Sequence, residues 1–134
     1  MTLPWKLALA GFLITVLLPA TVRPQPAPNA ETITVRLSNF EFNPENLRVR
    51  VGVPVRLQLV NDSSGGHDFS APAFFAASAF VSGSQPHDGA IDVPAKASVD
   101  VVVIPRTAGT YKVECTHFLH SLFGMTGTIT VAGS

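Results

Sequence analysis

Charge is scarce in this chain of 134 residues: nine Lys and Arg balance nine Asp and Glu, together 13% of positions, for a formal net charge of zero. So balanced a set builds no basic face of the kind that follows a phosphate backbone or an anionic lipid surface. Nucleic acid is therefore set aside as a partner, and no electrostatic reason for membrane binding exists. Tyrosine and tryptophan occur once each, leaving nine phenylalanines to supply the aromatic bulk of a core. Cysteine occurs once, at Cys115, so an internal disulfide is impossible and a disulfide-stapled scaffold is excluded. Beyond Met1 the only methionine is Met125, unlike the exposed methionine and histidine runs of proteins that handle metal ions as cargo. The longest apolar run, Leu7–Leu18, is shorter than the ~20 residues that cross a bilayer. With no glycine-rich phosphate loop and no nucleophile beside a general base, the chain is expected not to be an enzyme.

What is present is concentrated. Residues 111–131 read YKVECTHFLHSLFGMTGTITV and hold the sole cysteine, two of the four histidines and one of the two methionines. A thiolate, an imidazole and a thioether are soft and borderline ligands, the set that selects copper over magnesium or calcium. Cys115, His120 and Met125 fall at C-x4-H-x4-M, and Tyr111, Val113 and Cys115 alternate as a half-buried strand does. That puts the cysteine at a strand end, His120 and Met125 in one loop, and a returning strand at Gly127–Val131. A trigonal site of one Cys and two His with a weak axial Met needs a second imidazole from elsewhere; His67, a lone histidine in a loop, reads on its own as a solvated residue. Taken alone, Cys115 reads as a buried inert thiol; His120 and Met125 at this spacing argue against that.

The amino terminus reads as an address. Met1–Lys6 carries one positive charge, Leu7–Leu18 is nearly all apolar, and Leu18-Pro19-Ala20 ends in a small residue, the layout of a signal peptide over residues 1–20. An uncleaved tether is the alternative. A Pro-rich linker spans 21–31, and a single domain of 32–134 follows. The expected location is periplasmic or otherwise exported, with no membrane association after signal removal. In that oxidising setting a lone cysteine must be buried, bound or intermolecular, and metal ligation resolves the oddity. No cysteine follows the apolar run, so no site for a lipid anchor is expected.

The domain itself alternates. Ile33, Val35 and Leu37 mark a first strand, with Phe40 and Phe42 expected to continue inward before Asn43-Pro44 turns the chain. Leu47, Val49 and Val51 mark a second, and Val53 to Leu59 a third, ended by the turn formers of Asn61–Gly66. Phe74–Phe80 has the alanine content and apolar spacing of a short helix in a long connection, closed by Gly83–Pro86. His87 reads as a solvated turn residue. Ile91–Val93 is a short edge, and Val99–Val103 and Tyr111–Cys115 are further strands. About seven to eight strands, with turn signals near every tenth residue, give an all-β sandwich.

The C-x4-H-x4-M block followed by Thr-Gly-Thr-Ile-Thr-Val, with His67-Asp68-Phe69 after an Asn-containing strand end about fifty residues upstream, resembles the cupredoxins, the type 1 or blue copper proteins. The likeness covers Thr32 to Val131 and is nearest to single-domain bacterial members of the azurin, rusticyanin and plastocyanin kind. It implies a Greek-key β-sandwich holding one copper ion, cycling between Cu(I) and Cu(II), with His67, Cys115, His120 and Met125 as ligands. It further implies that Asp68 and Thr116, each one residue after a ligand, bond across the two ligand loops. Where many relatives have Pro-Gly before the second histidine, this chain has Phe118-Leu119; where they often have Asn, it has Asp68. His117 fits neither common spacing and has three readings: an outer-shell partner, a solvated residue, or the ligand in place of His120. The function implied is single-electron transfer by a monomer between redox partner proteins, docking on the apolar loop of Phe118, Leu119, Leu122 and Phe123 around His120. A copper carrier or buffer without a primary redox role is the alternative.

Overall fold

The computed structural model describes residues 29–117, 120 and 122–134; the expected signal peptide, the linker up to residue 28, Phe118 and Leu119 lie outside these. The described chain forms β1 (Glu31–Ser38), β2 (Glu41–Asn43), β3 (Asn46–Arg50), β4 (Val55–Asn61) and β5 (His67–Ser70). After α1 (Pro72–Ala76) come β6 (Ser78–Gly83), β7 (Ala90–Val93), β8 (Ser98–Pro105), β9 (Gly109–Glu114) and β10 (Thr126–Ala132). One sheet has the order β2-β1-β4-β8-β6, the other β3-β10-β9-β5-β7. β1 runs parallel to β4 and β3 parallel to β10, while the remaining pairings are antiparallel. This is the Greek-key sandwich expected.

Alternation decides which side chains meet. β4 sends Val55, Leu57 and Leu59 inward, and β10 answers with Ile129 and Val131. Each such side chain is worth roughly 1.5–3 kcal/mol when fully buried. Phe69 joins the layers, its ring 5.7 Å from Phe42 and 6.3 Å from Phe75, both edge-on, an arrangement that suits aromatic quadrupoles.

Among the described residues the strands number ten where about seven to eight were expected, and two local readings are corrected. The helix expected over Phe74–Phe80 is confined to Pro72–Ala76, and Ser78–Gly83 is an edge strand paired with β8. Pro72 starts a helical turn that Ala77 ends, and pairing with β8 overrides the high helix propensity of the alanines, as tertiary context commonly does. A register shift between Phe80 and Ser82 then leaves Phe80 and Val81 exposed. Phe40 does not continue inward: it takes φ 64° in the turn between β1 and β2 and is 44% exposed.

The register gathers four strand ends at one pole. Leu37 pairs with Asn61 at the end of β4, His67 with Val93 at the start of β5, and Glu114 with Thr126 where β9 ends and β10 begins. Gly127 is required there, because a Cβ on it would stand 2.3 Å from the Glu45 carbonyl oxygen, the same oxygen that accepts the Thr128 N–H at 3.0 Å. Gly127→Ala is expected to force the segment before β3 off β10 and to cost roughly 1–3 kcal/mol. The urea unfolding midpoint measures this; an unchanged midpoint would mean that the Glu45 segment yields freely.

Candidate metal centre

Cys115 is the first residue past β9 and continues its inward alternation, so its sulfur enters the core end with no exposed surface. His67 opens β5 and is 1% exposed. The loop that follows Cys115 is tied by its own backbone: His120 N–H donates to the His117 carbonyl (3.0 Å), Met125 N–H to the His120 carbonyl (2.9 Å), and Cys115 N–H to the Met125 carbonyl (3.1 Å). The C-x4-H-x4-M spacing is thereby closed into one compact turn. Met125, fully buried, sits at its base.

Three donor atoms converge. His67 Nδ1 lies 3.8 Å from Cys115 Sγ, His120 Nδ1 lies 3.4 Å from the same sulfur, and the two ring nitrogens are 3.2 Å apart. The circle through a triangle of sides 3.8, 3.4 and 3.2 Å has a radius of about 2 Å, against bond lengths of ~2.0–2.3 Å from nitrogen and thiolate to a first-row metal ion. The residues present therefore fit a small trigonally held ion, and their softness fits copper.

Electrostatics agrees with that fit. Burial lowers the pKa of His67, as do the neighbouring His120 and His117, against an opposing pull from Asp68, so the imidazole is favoured in the neutral form that binds metal. Burial pushes the Cys115 thiol up. Backbone hydrogen bonds at Asp68 and His117 act the other way, and the Asp68 carboxylate adds to the rise. The thiolate is thus costly without a cation beside it, and metal binding would release its proton.

Around the donors the two loops are clamped. The Asp68 carboxylate accepts the Thr116 N–H at 2.6 Å and the Thr116 hydroxyl, joining the residues that follow His67 and Cys115. On the far side of the His67 ring, Nε2 is 2.9 Å from Ser63 Oγ, and Asn61 braces Ser63. Ser63 was not singled out from sequence; the only cue is its place in the polar turn Asn61–Gly66.

His120 is half-buried and faces the surface. The Phe40 ring stands edge-on to it at 5.2 Å and to Phe123 at 5.5 Å. Leu122 and Phe123, in the same loop, are 76% and 61% exposed and with Phe40 make an exposed apolar rim beside this imidazole. Phe40 joins the rim from a distant turn. His117 is exposed; its ring stacks toward His120 at 5.8 Å, and with Asp68 and Asp92 it forms a second group of possible donors within 4.8 Å of one another. His87 stands apart, its ring beside Asp88 in the exposed turn before β7.

Residues 7–131 match the family described as Cupredoxin-like domain. A search of curated proteins returns no match. Among solved structures the chain is similar to auracyanin B, at 25% identity over 78% of this chain and 90% of that one, with a TM-score of 0.58. It is similar in fold to a reduced auracyanin from the photosynthetic bacterium Roseiflexus castenholzii, at 17% identity, 78% and 98% coverage and a TM-score of 0.60. The McoA multicopper oxidase of the hyperthermophile Aquifex aeolicus shares the fold at 16% identity and a TM-score of 0.64, over 84% of this chain but only 31% of that one. Matched over nearly its whole length and folded as the same sandwich, the chain belongs to the cupredoxin-like family, with one copper ion as its cofactor.

Proposed function

We propose that this chain is an exported type 1 copper protein that carries single electrons between redox partner proteins, with His67, Cys115, His120 and Met125 as the copper ligands. The observation that carries the reading is the convergence of His67, Cys115 and His120 donor atoms within 3.8 Å of one another. Copper held there supplies one-electron exchange between Cu(II) and Cu(I). The chain's part is to hold its ligands still: they come from the ends of strands in a close-packed sandwich, with the Asp68–Thr116 clamp fixing both loops. A fixed ligand set keeps reorganisation on electron transfer small. With four residues around the ion no position is left for a substrate, which favours a carrier over an oxidase.

The apolar rim of Phe40, Leu122 and Phe123 around His120 is the proposed docking face for redox partners, since exposed apolar patches on folded domains commonly mark contact surfaces. His117 is assigned to the outer shell, where it lies against the His120 ring. Export rests on the charged and apolar layout of residues 1–20; residues 21–31 are the linker and 32–134 the copper domain. Among the described residues no helix is long and apolar enough to cross a membrane.

Adding Cu(II) to the purified protein is expected to give an intense thiolate-to-copper band in the visible spectrum. The band should be lost in Cys115→Ser and His120→Ala and kept in His117→Ala. A colourless or weakly coloured wild type would refute the electron-carrier reading and bring the copper carrier or buffer forward. A second expectation concerns Asp68. Its buried carboxylate beside the thiolate favours the higher-charged ion, so Asp68→Asn should raise the reduction potential, by on the order of 100 mV for a unit charge several ångströms away at an effective dielectric constant near 20. Protein-film voltammetry on the two forms decides it, and an unchanged or lower potential would remove Asp68 from the account.

A further inference from the structure

The turn between β4 and β5 reads Asn61-Asp62-Ser63-Ser64-Gly65-Gly66, and its side chains are bonded in one direction. Asn61, 1% exposed, donates its amide hydrogens to the carbonyls of Gly65 (2.9 Å), Val93 (2.9 Å) and Pro94 (3.1 Å). Three acceptors on that side fix which way round the amide lies. The atom facing Ser63 is therefore the carbonyl oxygen Oδ1, which accepts the Ser63 N–H at 3.0 Å and lies 2.7 Å from Ser63 Oγ.

Neither Asn61 Oδ1 nor the Gly65 carbonyl, 3.0 Å from the same hydroxyl, has a hydrogen to give. The single proton of Ser63 points to one of these two oxygens. Toward His67 Nε2, 2.9 Å away, the hydroxyl is then an acceptor, and the ring proton sits on Nε2. Nδ1, the atom that faces Cys115 Sγ and His120 Nδ1, keeps its lone pair. The hydrogen bond made by one ring nitrogen decides what the other can do.

We infer that Ser63, oriented by Asn61, is a positioning residue that selects the Nε2–H tautomer of His67 and its ring orientation, so that Nδ1 is ready to bind before any ion arrives. This rests on the assignment of His67 as a copper ligand. Asn61 also spans from the end of β4 to Val93 and Pro94 at the end of β7, so the ring is referenced to both sheets rather than to its own strand alone. Outer-shell partners of metal-binding histidines characteristically contribute about 10–100-fold to affinity.

The test compares wild type, Ser63→Ala and Ser63→Thr by long-range 1H–15N NMR of the metal-free proteins, and by Cu(I) affinity in competition with a chelator. Wild type and Ser63→Thr should show His67 protonated at Nε2 alone. Ser63→Ala should show the Nδ1–H form as well and bind Cu(I) about 10–100-fold more weakly. A wild-type His67 protonated at Nδ1, or a Ser63→Ala protein matching wild type in both tautomer and affinity, would overturn the inference. Failure of the copper assignment itself is seen separately, as absence of the Cys115-dependent visible band, and the metal-free tautomer comparison still decides the role of Ser63.

Discussion

A thiol sealed in an apolar core is costly to ionise, and the metal end of this protein is arranged around that cost. Cys115 has no exposed surface, burial pushes its pKa up, and the nearest formal charge is the Asp68 carboxylate, which pushes the same way. Only the backbone N–H groups at Asp68 and His117 favour the thiolate. A cation between Cys115 and the two imidazoles supplies the missing opposite charge, and it can do so only if the imidazoles are neutral and already in place. The lowered pKa of His67 and the bonding of its far nitrogen to Ser63 both work toward that end. The ion thus completes an electrostatic balance that the fold leaves open.

Asp68 has two roles that pull against each other. As an acceptor for the Thr116 N–H and hydroxyl it locks the loop bearing Cys115 to the strand bearing His67, which stiffens the site. As a charge it disfavours the thiolate and favours the more positive ion. Asparagine would keep a carbonyl acceptor for the Thr116 N–H and drop the charge. The aspartate therefore reads as a choice about potential, because the clamp alone does not require it.

Much of this was legible in the sequence because it is local or periodic. The alternation of Tyr111, Val113 and Cys115 put the sulfur inward at a strand end, and the spacing of Cys115, His120 and Met125 set out one loop, which the structure closes with backbone bonds. His67 depended on resemblance, since a histidine after a polar turn carries no local sign of what lies opposite. The failures share a cause. Phe74–Phe80 has helical composition but faces an unpaired edge of β8, and Phe40 continues an apolar alternation that a left-handed turn interrupts. The Phe40 contact to His120 is tertiary, joining distant segments, whereas the Ser63–His67 bond is local but depends on the path of a polar turn whose residue types are common in any turn.

The direction of the chain bears on how the metal pole meets a partner. β1 begins at Glu31, which pairs with Val55, while Leu37 pairs with Asn61 beside the site; the six intervening steps of strand place the start of the domain about 20 Å from the metal pole. Anything preceding Glu31 therefore joins the sandwich at the end opposite His120 and its apolar rim. The rim of Phe40, Leu122 and Phe123 therefore lies at the pole opposite the start of β1, and on the electron-carrier reading proposed above a partner reaches His120 whatever precedes Glu31.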